Sequence, residues 1–531
     1  MRLDRLHEYL TVTIATTAGL ALSIYLGQLA GNGRYSQIGY FAAIAAAVVI
    51  SITTRQRIWM FIPLTWALTA SSYLIPLPFS VREVCVLLSF GTFLVLTAFK
   101  MVQKRPDLTR CDFFLGLNLL YLATAWARNP VGVSALGTDL VGGRPYYLVI
   151  INVMGYWVLS RATISPRQAR IIPIFILFST VVIGVLSLIS YRFPSTTPIL
   201  SHIYSGVEQS AYGAEEEYAK SGYSAEGGLS SRISSLSLFG MVAIAFLCSR
   251  HSAVDLFNPL YFKRFVFFAV AWLGVFYSGH RSAVISSLAA MAVMTYFRRG
   301  LLDVTKLLIL FAAAFLMITV ASAIGVTLPV VAQRSLTFLP GQWDAEAVRG
   351  AKDSEEWRYE MWRMVLSGNR YIKNKVLGDG FGVSQKDLNE VASAREAGID
   401  ISQEGQLIVG GFHNGPLSTI RFVGVVGLIL FYAWMFYLAP FSIRLIRQSQ
   451  NTPYFSLTLF FASGSLIQPF FYTFIVGGFD GALPELILQT GILKLLAHSL
   501  SVYKAPAEAP PPARRFIPVS RPAARFGRAT A

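Results

Sequence analysis

The sequence predicts an all-α, polytopic transmembrane bundle of about 12–14 spans with a large external loop that contains an amphipathic helix. Three observations carry this. The chain of 531 residues is 54% hydrophobic and 14% charged, with a mean hydropathy of +0.53, whereas soluble proteins carry about 25% charged residues. Apolar windows long enough for a spanning helix recur along nearly the whole length. Basic residues cluster in every second connection, as the positive-inside rule requires. The length of the apolar windows excludes an outer-membrane barrel, whose strands alternate over about 10 residues.

Taken in order, the apolar windows lie near 11–30, 38–52, 58–75, 83–99, 113–127, 146–160, 171–190, 233–249, 265–280, 282–297, 307–325, 417–440, 454–477 and 484–503. The first is read as a retained helix rather than a signal peptide, because Gln28 fits the small-residue cleavage rule poorly. The pair around Ser278-Gly279-His280-Arg281 reads as a helical hairpin with a very tight turn. Four units follow: 1–327, a transmembrane region with an acidic external loop near 191–231; 328–415, a large periplasmic loop; 416–503, the C-terminal spans; and 504–531, a basic cytoplasmic tail whose Pro-rich composition predicts disorder.

The formal charge of +17 is explained by this topology and needs no nucleic-acid partner. Arg55 and Arg57, Lys100 to Arg110, Arg161 to Arg170, Arg298 and Arg299, and Arg444 and Arg447 share one parity with both termini, which puts the termini in the cytoplasm. Three cysteines support no disulfide framework.

The long loop carries the chemistry-bearing residues. Asp353 to Lys375 reads as a helix with Trp357, Met361, Met364 and Val365 on one face. Its acidic residues fall in the expected first turn and Lys373 and Lys375 in the last, so a Trp-rich face lying on the membrane is one reading and a surface Arg358 the plainer one. Arg281 and Arg232 sit at outer helix ends, where a cation is costly without a partner such as phosphate; Arg144 is a weaker candidate. His413 is where the loop rejoins the membrane; it is either a general base near neutral pH or an interfacial capping residue, and Asn414 stands beside it. Trp357 and Trp362 either stack on sugars or anchor the loop. The glycines of Leu377 to Gly382 lack the βαβ context of a nucleotide loop and read as a turn. No Asp-x-Asp pair or histidine cluster marks a metal site on the outer side.

These pieces in this order resemble the O-antigen ligase and polymerase family of bacterial envelope proteins: Ser278-Gly279-His280-Arg281; then Arg358 with Trp362 and Leu377 to Gly382; then His413-Asn414-Gly415-Pro416-Leu417 running into Gly424-Val425-Val426-Gly427-Leu428. His280 departs from the small residue more usual there. The resemblance implies an inverting glycosyltransferase on the periplasmic face of the inner membrane, with no cofactor, nucleotide or metal. It implies a glycan donor on undecaprenyl diphosphate and, as acceptor, a hydroxyl of lipid A-core or of another carrier-linked glycan. It also implies His413 as the base and Arg281, Arg358 and Arg232 as diphosphate-binding residues. Two other readings are a lipid-glycan transporter, disfavoured by the scarcity of charge at membrane depth, and a two-carboxylate hydrolase using Glu355, Glu360 or Asp379.

Overall fold

A computed structural model of the chain describes residues 23–71, 79–102, 109–131, 140–207, 233–396 and 402–503, with a few isolated positions before residue 23. It is 78% helical. The major helices are α1 (Tyr35–Thr54), α2 (Val81–Ala98), α3 (Arg110–Arg128), α4 (Arg144–Leu159), α5 (Pro166–Arg192), α6 (Ser234–Arg250), α7 (Phe262–Tyr277), α8 (Arg281–Arg299) and α9 (Leu301–Ala323). The loop then holds α10 (Val330–Leu336), α11 (Ala345–Ser367), α12 (Gln385–Glu396) and α13 (Ser402–Ile408). The chain returns through α14 (Gly415–Ser449), α15 (Phe455–Phe474) and α16 (Phe479–Val502). Two two-residue strands, β1 (Leu140–Val141) and β2 (Val383–Ser384), pair antiparallel and tie the loop to the N-terminal half.

Among the described residues, seven helical segments are long and apolar enough to cross a membrane. Twelve of the apolar windows coincide with helices α1 to α9 and α14 to α16. The window at 58–75 does not. There a 3₁₀ turn at Arg55–Met60 and a four-residue helix at Phe61–Leu64 give way to irregular chain. Pro63 and the tight turn after Thr65 interrupt a run whose hydrophobicity alone reads as a span. The window at 11–30 is helical from residue 23; its start lies outside the described residues, as do most of the acidic loop (208–232, including Arg232) and the tail from 504.

One apolar core runs through the bundle from α2 to α9 and α14 to α16. α14 packs on α3, α15 and α16; α16 packs on α4; α6 packs on α5, α7 and α8. The outward face of α9 leaves Leu308, Leu316 and Met317 exposed, a face suited to lipid rather than water. One buried charge inside the bundle is paired. Lys494 Nζ lies 2.5 Å from Asp112 Oδ2, and the Tyr156 hydroxyl donates to Asp112 Oδ1 at 2.6 Å. A charge buried in this medium persists only with such partners.

Candidate functional site

The turn between α7 and α8 begins the site. α7 ends at Tyr277, Gly279 takes a left-handed φ of +71°, and α8 starts at Arg281. A three-residue reversal needs that positive φ, which glycine supplies without strain. The backbone carbonyl of Phe276 at the end of α7 accepts from Ser335 Oγ of α10 at 2.9 Å. α10 in turn packs against α7, α8 and α11, so this short helix carries α11 onto the turn of the hairpin.

α11 extends over Ala345–Ser367, not Asp353–Lys375. The Asp344 carboxylate accepts from the Glu346 amide at 2.8 Å and caps the start, and the chain leaves helical geometry at Gly368. Asp353, Glu355 and Glu356 are therefore mid-helix, and Lys373 and Lys375 lie beyond its end, so the dipole argument does not apply to them. The apolar face is turned inward and not onto a membrane surface. Met361 and Val365 are fully buried with Ile372, Leu407 and Phe412, and Trp357 and Trp362 pack against the same cluster. Trp362 Nε1 donates to the Phe412 carbonyl at 3.0 Å. That bond fixes the residue preceding His413.

α11 thus bridges the two ends of the site. Ala351, Glu355 and Arg358 fall on one face by helical spacing. Arg281 Nη1 meets Glu355 Oε1 at 2.5 Å and Nη2 donates to the Ala351 carbonyl at 3.3 Å. Arg358 is half-buried and has no ion pair or hydrogen bond to the other described residues. Burial and then the nearby Arg281 charge pull its pKa down, opposed by Glu355. The same Arg358 charge reaches three further groups. It adds to burial in lowering the pKa values of His280, His413 and Arg334. Arg281, Arg358 and His413, separated by up to 132 positions in the chain, therefore share one electrostatic neighbourhood.

His413 is held unusually. It has a left-handed φ of +49°, following Gly410 at +82°. A non-glycine residue in this region costs on the order of 1 kcal/mol and is retained where the surroundings impose it. Asn414 is the N-cap of α14; its Oδ1 accepts from the Leu417 amide at 2.9 Å. The imidazole edges a cavity of about 450 Å³ with Pro145, Phe381, Val409, Phe422 and Asp480 on its walls. With its pKa lowered, first by burial and then by Arg358, the imidazole is neutral at neutral pH and able to accept a proton.

The glycine-rich turn has a role that its sequence does not reveal. α14 is broken at Gly424, which has φ +69°. Into the break fits the segment 375–380. The Asp379 and Gly380 amides donate to the Arg421 and Phe422 carbonyls, and the Val425 amide to the Lys375 carbonyl, all at 2.9 Å. A Cβ on Gly424 would stand 2.2 Å from the Val376 carbonyl oxygen. The Asp379 carboxylate accepts from the Lys373 and Asn374 amides and pairs with Arg421 at 3.0 Å. A second cavity of about 440 Å³ opens beside this clip, with Arg128, Arg370, Lys373, Asp387 and Glu390 on its walls.

Sequence reasoning missed Arg334, whose Nη2 donates to the Gly350 carbonyl at 2.8 Å, the Glu355 partner of Arg281, and the Asp379–Arg421 pair. Only the last had a visible signal: an arginine inside an apolar span implies a carboxylate somewhere. Arg144 is not in the cluster; it pairs with Glu83 at 2.8 Å. Arg232 lies outside the described residues. Among those residues no group of three or more His, Cys, Asp or Glu side chains is arranged to hold a metal.

Fold and site together define a polytopic helical membrane protein with a cationic, histidine-bearing cluster at one end of its bundle. Residues 266–432, from within α7 to the middle of α14, match the family model described as O-Antigen ligase, and this match supports the O-antigen ligase family for the chain. The matched segment contains the whole cluster. No curated protein matches the chain.

Proposed function

We propose that the protein transfers a glycan from undecaprenyl diphosphate to a sugar hydroxyl of lipid A-core on the periplasmic face of the inner membrane, with both termini cytoplasmic. The observation that carries this reading is the shared environment of Arg281, Arg358 and His413, in which Arg358 has no hydrogen bond or ion pair among the described residues.

In the reaction, the acceptor oxygen attacks the anomeric carbon from the side opposite the leaving group. A carbon–oxygen bond forms as the bond to the diphosphate oxygen breaks, and the diphosphate leaves with the electron pair. Inversion follows from this single displacement. Arg358 and Arg281 receive the added negative charge through short guanidinium–phosphate bonds. The acceptor proton passes to an imidazole nitrogen of His413, an effect worth roughly 10²–10⁴ in rate. The arginines supply the charge stabilisation, so the reading calls for no metal, cofactor or nucleotide. Trp357 and Trp362 serve as anchors of α11 and Asn414 as a cap, which supports a positioning role for all three. The cavity beside His413 is of a size suited to the acceptor sugar.

Polymerisation, with a carrier-linked glycan as acceptor, uses the same chemistry. Reconstitution distinguishes them: the protein is given undecaprenyl-diphosphate-linked glycan with lipid A-core or with carrier-linked glycan, in chelator and without nucleotide. Product on lipid A-core is expected; lengthened carrier-linked glycan would make it a polymerase. Labelled lipid-linked glycan crossing the bilayer without either product would establish a transporter instead. His413→Ala should abolish transfer while the protein stays in the membrane, and normal transfer by that variant would remove His413 from the mechanism.

A further inference from the structure

A further cavity is far from His413. Its volume is about 730 Å³, and its walls come from residues 53–59, the C-terminal end of α2, the α4–α5 connection and the end of α16. α16 has 24 residues and so runs about 36 Å at 1.5 Å per residue. Its first residues edge the His413 cavity and its last, Ser499 and Val502, edge this one. The two cavities therefore open at opposite ends of one helix, near opposite surfaces of a membrane whose apolar core is about 30 Å thick.

The lining has a definite chemistry. Arg55, Arg57 and Arg161 are on the wall, and no Asp or Glu is among the described lining residues. The Arg55 and Arg57 guanidinium groups make no hydrogen bond or ion pair with other described residues, and Arg55 is held at a left-handed φ of +48°. Arg161 is fixed over the Trp157 ring, 3.9 Å from its centroid, and donates to the Trp157 carbonyl at 3.2 Å. Thr163, Ser165 and Tyr503 add hydroxyl groups. The floor is apolar, with Trp59, Phe93, Leu96 and Ile164. The cavity of about 440 Å³ near the site behaves differently, because its cations are interspersed with Asp387 and Glu390. Arg55, Arg57 and Arg161 thus put three cationic groups around one space, and they attract an anion that enters it.

We propose that this cavity binds the headgroup of an anionic glycerophospholipid, its phosphodiester between Arg55, Arg57 and Arg161 and its upper acyl chain on the apolar floor. Guanidinium forks match phosphate oxygens, and anionic leaflets draw clustered cations at roughly fivefold in affinity per arginine. The paired arrangement of apolar floor and cationic rim fits a molecule that is both lipid and phosphate. The site is independent of glycosyl transfer, since it stands a full helix length from the reacting residues.

The test is native mass spectrometry of the purified full chain in detergent, titrated with phosphatidylglycerol or with phosphatidylcholine. Phosphatidylglycerol is expected to be retained preferentially. Arg55→Gln/Arg57→Gln should weaken its retention about 25-fold, Arg55→Lys/Arg57→Lys should largely keep it, and rising salt should release it from the unaltered protein. The proposal is overturned if phosphatidylcholine is retained equally, if the Gln pair binds as the unaltered protein does, or if retention is independent of salt. Displacement of phosphatidylglycerol by millimolar inorganic phosphate would also overturn it, and would assign the cavity to a soluble phosphate. The salt titration needs no variant, so it decides the matter even where the Gln pair fails to fold.

Discussion

His413 and Asp379 are the residues whose surroundings make the clearest demands. Burial, and then the positive charge of Arg358, disfavour an imidazolium at His413, so the pKa of His413 is below its ordinary value of about 6.5. A base must be neutral to act. The acid limb of the kcat/KM profile is therefore expected below pH 6.5. Arg358→Gln removes the neighbouring charge and should move the limb of the residual activity to higher pH, alongside its loss of rate. An unmoved limb would separate the two residues. Asp379 is a structural hub: its carboxylate holds two backbone amides and the buried Arg421 guanidinium. Asp379→Asn removes the carboxylate that balances the buried Arg421 charge and leaves it the Gly382 carbonyl, so a loss of about 3 kcal/mol is expected in chemical unfolding. Arg421→Met in the same background should recover part of it.

At the scale of elements, the broken helix α14 decides how the long loop is seated. Gly424 opens the ladder, and the backbone of 375–380 fills the gap with hydrogen bonds that an unbroken helix would keep for itself. Gly424→Ala would meet both a left-handed φ and a carbonyl oxygen 2.2 Å from the new Cβ. It is expected to cost at least about 1–3 kcal/mol. Limited proteolysis reads the result: the chain between 369 and 384 should be cut faster than in the unaltered protein, with cleavage elsewhere unchanged. α11 depends on the same seating, because its far end is held by Trp362 on the Phe412 carbonyl. This is why two helices and a loop bring Arg281, Arg358 and His413 into one electrostatic neighbourhood.

For the whole molecule, the question is what registers the helices of a bundle in lipid, where apolar side chains gain little by leaving an apolar solvent. Lys494 and Asp112 answer it for α16 and α3, with Tyr156 of α4 as third member. Asp112→Asn alone should destabilise by about 3–5 kcal/mol, because it leaves the buried Lys494 charge without its carboxylate, whereas Lys494→Met should cost less, since Asp112 keeps Tyr156 and the Thr109 amide and hydroxyl. Asp112→Leu with Lys494→Met should cost less than Asp112→Asn alone, about 1–2 kcal/mol, because the Thr109 cap of α3 is lost but no unpaired charge remains. Reversible unfolding in mixed micelles measures the cycle, and additive losses would show that the pair does not act as a unit. The double variant should retain transfer, since the pair is in the body of the bundle and not among the reacting residues.

Span-forming windows, the helical class and the motif order were legible in the sequence, because lipid forces backbone polar groups into helices and leaves a long apolar signature. The Ser278–Arg281 turn was legible too, since two apolar windows met there with no room for a loop. The sequence misjudged segments whose partners are remote. The window at 58–75 has the composition of a span but breaks after Leu64. The Trp-rich face of α11 has the pattern of a membrane-surface helix but packs on Phe412 and Leu407. Hydrophobic periodicity reports that a face is buried, not what buries it. By itself, then, the chain determined a polytopic helical membrane protein and which of its residues could bear charge or take a proton. Only the tertiary structure decided that Arg281, Arg358 and His413 share one electrostatic neighbourhood, that Glu355 and Asp379 hold Arg281 and Arg421, and that Arg358 has no ion pair among the described residues. Those are long-range Coulomb and hydrogen-bond relations, and they exist only once α10, α11 and the break in α14 have brought distant segments together.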